Sequence, residues 1–134
     1  MKRGVAVSLL IFLVLASCSK EKEGSTAACG AKPAALATAP TLPAGFPTPS
    51  EVTFTATRTA GPSTIVDGFW DGDLGDAFDG YKTGFAASGY NVTHDEKEAD
   101  DAEVNFSGGN STGQVKLVTA CEGRTSVEIT VRPA

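Results

Sequence analysis

The chain has 134 residues, 41% of them hydrophobic and 20% charged, and 16 acidic against 11 basic side chains give a formal net charge of −5. That length fits one small domain rather than several. The acidic balance argues against nucleic acid, or an anionic membrane surface, as an electrostatic partner.

Lys2 and Arg3 open the chain with positive charge, Val5 to Leu15 is apolar except for Ser8, and the small residues Ala16 and Ser17 precede Cys18. A positive start, a short apolar run and small residues at a cleavage point make an export signal. The run falls short of the about 20 apolar residues of a membrane-spanning helix. Leu15-Ala16-Ser17-Cys18 resembles the lipobox of bacterial lipoproteins. The resemblance implies that the Cys18 thiol takes a diacylglyceryl group, with acyl chains such as palmitate, and becomes the mature N-terminus. A cleaved but unlipidated leader and an uncleaved anchor are the alternatives that stay open.

Cleavage there would remove Lys2 and Arg3 and no acid, leaving 117 residues with 9 basic and 16 acidic side chains, a formal charge of −7. Lipid, not charge, would then hold the protein to a bilayer, firmly if several acyl chains are attached. No second hydrophobic segment follows. The expected location is the outer face of a bacterial cell membrane, or the outer membrane where the source has one.

With Cys18 lipidated, Cys29 and Cys121 form an even pair in an oxidising compartment and are expected to be bridged. Such a bridge closes a loop of about 90 residues, worth on the order of 4 kcal/mol in the chain-entropy model. A redox role lacks the Cys-x-x-Cys spacing.

Residues 18 to 49 read as the lipidated terminus and a tether. Ser19 to Ala28 is polar and small, and prolines stand at 33, 40, 43, 47 and 49. If Cys29 is bridged, this segment is strapped across the domain, with Leu42 and Phe46 as the points that pack down. The domain itself is expected over residues 50 to 134.

Val52, Phe54 and Ala56 alternate with Thr53, Thr55 and Thr57 as a half-buried strand. After Gly61-Pro62-Ser63, Thr64 to Trp70 forms a second, whose inward face is ambiguous because Ile65 and Val66 are both apolar. Leu74, Phe78, Tyr81 and Phe85 make one stripe of a helix from about 73 to 88. Asp73 offers an N-cap, Asp76 suits the helix dipole, and Gly89 fits the position past the end. Gly80 and Gly84 each cost roughly 1 kcal/mol against alanine, so the helix depends on packing.

A short strand follows over Tyr90 to Thr93, then a charged stretch from His94 to Asp101 read as a hairpin loop. Ala102 to Phe106 is a strand, Gly108 to Ser111 a turn, and Val115, Leu117, Thr119 and Cys121 one face of the next strand. Glu122-Gly123 signals a tight hairpin before Val127, Ile129 and Val131. The sum is an α+β domain of two layers, an antiparallel sheet of five or six strands with the helix on its apolar face. The wet face would carry Thr53, Thr55, Lys116, Glu128, Thr130 and Arg132.

The order Val66-Asp67-Gly68, Asp73-Leu74, Phe78-Asp79-Gly80-Tyr81 and Ser88-Gly89-Tyr90-Asn91-Val92 resembles small bacterial lipoprotein domains of unknown function. That resemblance brings no chemistry with it.

His94, the one histidine, stands between acids and reads as a surface residue. Asp67, Asp71, Asp73, Asp76 and Asp79 fall within thirteen residues and offer hard oxygen ligands for calcium. The spacing fails the EF-hand pattern. Counted from Asp71, Asp76 takes the glycine position and Lys82 that of the bidentate glutamate. Asp67, Asp71 and Asp73 remain the weak metal candidates, and no cofactor is implied.

Phe69 and Trp70 adjoin at a strand end, so alternation allows only one of them inward. The other either caps the core at its rim or is an aromatic anchor for a partner. Asp95 and Glu96 begin an acidic set that runs to Glu103, a solvated loop or a docking surface for a basic partner. The preferred reading is a non-enzymatic, membrane-anchored envelope module whose contacts are Phe69, Trp70, Asp95 and Glu96. A small-ligand or calcium-binding lipoprotein stands second and an envelope hydrolase third.

Overall fold

The computed structural model describes residues 27–134, so the leader and Cys18 lie outside the described residues. Two strands, β1 (Val52–Ala60) and β2 (Ser63–Asp71), lead into the helix α1 (Leu74–Ala87). Four more follow: β3 (Asn91–Lys97), β4 (Asp101–Gly108), β5 (Ser111–Cys121) and β6 (Arg124–Pro133). They form one six-stranded sheet in the order β1-β2-β6-β5-β4-β3, every pairing antiparallel. The helix carries the chain from β2 to the far edge, and the strands then return one neighbour at a time until β6 closes against β2.

The turns follow their residues. Gly109 and Asn110 both take left-handed φ, of 55° and 58°, between the paired residues Gly108 and Ser111. Two positive φ values in a two-residue loop match the right-handed twist of the flanking strands. Glu122-Gly123 is the expected hairpin, closing between Cys121 and Arg124.

Sheet faces are set by alternation, and bulges reset it. Val66, Trp70, Val104, Phe106, Val115, Leu117, Val127, Ile129 and Val131 share the apolar face and are buried. Val66, not Ile65, is therefore the inward residue of its pair. β1 bulges between Phe54 and Ala56, so Ala56 faces Asp67 on the polar side. The simple alternation expected for Val52, Phe54 and Ala56 breaks there, because one extra residue turns every later side chain over.

The stretch from His94 to Lys97 is strand, not loop, and only Glu98 to Asp100 turn the chain. As an edge strand β3 leaves one row of backbone groups unpaired, and a run of charges suits such an edge.

Helix α1 runs as its stripe predicts, with Leu74, Phe78, Tyr81 and Phe85 buried. Asp73 is the N-cap residue, although its side chain makes no capping hydrogen bond. The Phe85 ring stacks on Phe106 of β4 at 4.7 Å, and Phe46 meets the two edge-on at 5.3 and 5.2 Å. Offset and edge-on aromatic pairs of this kind add about 0.5–1.5 kcal/mol beyond burial.

Phe46 comes from the proline-rich segment, which is strapped down along its length. Ala27 O accepts from Glu122 N at 3.0 Å, Leu36 N donates to Phe54 O at 2.8 Å, and the Tyr90 hydroxyl donates to Ala44 O at 3.0 Å. Phe46 is 7% exposed and Leu42 is partly buried against the core. The core thus draws residues from before position 50. Cys29 and Cys121 form a disulfide pair with Cα atoms 5.1 Å apart, fastening the start of the strap to the end of β5.

Candidate functional site

Neither aromatic proposed as an anchor is free to act as one. Trp70 is 6% exposed and belongs to the core, 6.1 Å from Tyr81. Phe69 points to the opposite face yet is only 4% exposed. It is covered by Arg124, whose guanidinium lies 5.3 Å over the ring and donates to Gly30 O and Ala31 O. The strap carbonyls hold the cation and the cation covers the ring, an arrangement local alternation does not reveal.

The acidic candidates are dispersed. Asp67 pairs with Arg58 at 3.3 Å, and Asp71 pairs with Lys32 of the strap at 2.8 Å. Asp73 stands at the N-cap position of the helix, apart from both. No group of three or more His, Cys, Asp or Glu side chains able to hold a metal ion occurs among the described residues. Asp95 turns toward the helix and pairs with Lys82 at 2.7 Å. Glu96 is 60% exposed and faces His94, itself 64% exposed, at 3.9 Å. Of the four residues offered as partner contacts, Glu96 alone is both exposed and lightly engaged.

Among the described residues, two tyrosines depart from ordinary ionisation. Burial raises the Tyr81 hydroxyl far above the usual phenol range, and desolvation raises that of Tyr90. The Tyr81 hydroxyl is buried without a hydrogen-bond partner. Both rings hold the helix side of the core together, so these shifts bear on stability.

Beyond the covered end at Phe69, the polar face of the sheet stays open. Cross-strand register places Asn105, Gln114 and Thr130 in one row, and Ser107, Thr112 and Arg132 in the next. These six line a cleft of about 340 Å³, floored by Phe106 and Gly113. Alongside it lies a charged row in which Glu103, Lys116, Glu128 and Asp67 are register neighbours. There Arg58 binds Glu128 at 2.7 Å as well as Asp67.

The sequence reading gave Thr130 and Arg132 to this face but passed over Asn105, Ser107, Thr112 and Gln114. Their signal was uncharged polar residues at alternate positions of two strands, β4 and β5. It gained meaning only once register made them neighbours. No family model, curated protein or solved structure matches the chain.

Proposed function

We propose that this chain is a bacterial lipoprotein, anchored through Cys18 to the outer face of the cell membrane or to an outer membrane. Its exported domain would act as a non-enzymatic binding module for an envelope protein or small ligand. Anchoring is supported by the register of Lys2, Arg3, the apolar run and Leu15-Ala16-Ser17-Cys18. Binding is supported by one observation, the array of polar side chains on the sheet face opposite the core. In this reading the domain has two layers. The helix and the Leu42 to Phe46 part of the strap share the apolar face of the sheet, the start of the strap covers Phe69 at one end of the polar face, and the rest of that face is presented to the surroundings.

The preference for a binding module over a calcium protein follows from the dispersal of the acids. Asp67 and Asp71 are neutralised by Arg58 and Lys32, which leaves no cage of free carboxylates around one point.

Mass spectrometry of the N-terminal peptide, recovered from the membrane fraction of the source cells, tests the anchor. The expected result is Cys18 as first residue carrying a diacylglyceryl group, with Cys18→Ala blocking the modification. An unmodified Cys18 in a freely soluble chain would overturn it.

A further inference from the structure

We propose that the cleft on the polar sheet face binds a saccharide bearing a carboxylate, with Arg132 holding the acid and Asn105, Gln114 and Thr130 reading the hydroxyl and amide groups. The inference rests on the binding-module reading and names the class of ligand for that face.

Apart from Arg132, the wall-forming side chains of the cleft are neutral amides and hydroxyls. A neutral, hydrogen-bonding lining matches a ligand whose bulk is uncharged and rich in groups that both donate and accept. Amides and hydroxyls have both capacities, as sugar hydroxyls do. Among the described residues, Asn105, Ser107, Gln114 and Thr130 make no side-chain hydrogen bonds, so their capacity faces the cleft and water.

Arg132 gives Nε to Thr112 at 3.3 Å and forms no ion pair among the described residues. The Thr112 contact orients a guanidinium whose outer nitrogens remain for a carboxylate, the partner that a planar fork fits best. Arg124 likewise forms no ion pair among the described residues, but the Gly30 and Ala31 carbonyls occupy its outer nitrogens, whereas those of Arg132 face the cleft.

Position separates a saccharide from a peptide. An extended peptide is ordinarily taken up by main-chain pairing at a free strand edge. Here β4, β5 and β6 are each paired on both sides, so the face offers side chains only. Neighbouring strands lie about 4.8 Å apart, so Asn105, Gln114 and Thr130 together span roughly 10 Å, the length of two linked sugar rings. The neighbouring cleft over Lys116 and Glu128 fits less well, because Arg58 already engages its carboxylates.

The test uses the full-length protein in detergent and two disaccharide probes, read by saturation-transfer NMR. One probe joins N-acetylglucosamine to N-acetylmuramic acid, which carries a carboxylate. The other is the neutral dimer of N-acetylglucosamine. The expected result is binding of the acidic probe, with at least about a tenfold loss for the neutral probe, for Arg132→Gln and for the double variant Asn105→Ala, Gln114→Ala. Melting temperatures of the variants confirm that each is folded.

No response to the acidic probe up to about 10 mM, where even a shallow site should fill, overturns the proposal. So does binding that the variants leave unchanged, or an equal response to trialanine, which would make the ligand a peptide. Cross-linking of the intact protein to an envelope partner is a separate readout. A discrete partner without sugar binding would retain the binding module and reject the saccharide.

Discussion

The six-membered ring of Trp70 lies where a side chain on Gly80 would begin, its Cζ3 and Cζ2 atoms 3.1 and 3.3 Å from that position. A glycine in mid-helix ordinarily weakens a helix by about 1 kcal/mol, yet here it admits an indole into the core. Gly84 does the same for Pro47, whose Cβ would stand 2.8 Å from an added methyl group. The helix is therefore shaped to its neighbours at both glycines. Gly80→Ala should destabilise the protein by about 1–3 kcal/mol despite its better helix propensity, as overpacking costs are of that size. Urea denaturation of the variant measures it.

Phe46 anchors the strap to the aromatic cluster of Phe85, Tyr90 and Phe106. Truncation to alanine leaves a cavity among three rings. Phe46→Ala should cost about 3–5 kcal/mol, the range of buried aromatic-to-alanine changes. Equilibrium unfolding is the check, and a loss below about 1 kcal/mol would mean that the strap is dispensable to the core.

The Cys29–Cys121 pair joins residues 92 apart in sequence. Replacing both with serine should lower stability by up to about 4 kcal/mol, since the unbridged unfolded chain regains its loop entropy. The strap contacts at Leu36, Ala44 and Phe46 persist without the bridge, so the variant should still show a cooperative unfolding transition. Calorimetry of the two forms settles both points.

Much of this architecture was readable from local pattern. Leu74, Phe78, Tyr81 and Phe85 marked the helix within a residue at each end, and Gly89 with φ of 77° ends it as expected. What escaped the sequence depends on partners distant in the chain. Phe69 is hidden by Arg124, 55 positions later, and by the carbonyls of Gly30 and Ala31. Ala56 changes face because of a bulge that no residue pattern announces. The cleft was invisible for the same reason, since Asn105, Gln114 and Thr130 become neighbours only through register.

Tyr81 and Tyr90 give the protein an alkaline limit. Both hydroxyls ionise above the usual 10.0 when folded. Between that value and the raised folded one the unfolded chain binds fewer protons, so stability falls as pH rises. It is fully present below pH 10.0 and lost progressively above it. Circular dichroism across alkaline pH, paired with tyrosinate absorbance, should show ionisation and unfolding together. Phenolate formation in a still-folded Tyr90→Phe variant would contradict the burial of Tyr81.

In the proposed arrangement the polar sheet face meets an envelope component, and the helix and the Leu42 to Phe46 part of the strap lie on the opposite side. Its most direct test is a photo-cross-linking residue placed at Gln114 in the lipidated protein, with Thr83 on the exposed helix surface as the comparison, in intact source cells. A discrete adduct is expected from Gln114 and none from Thr83. The same bystanders from both positions, or a discrete adduct from Thr83 alone, would contradict it.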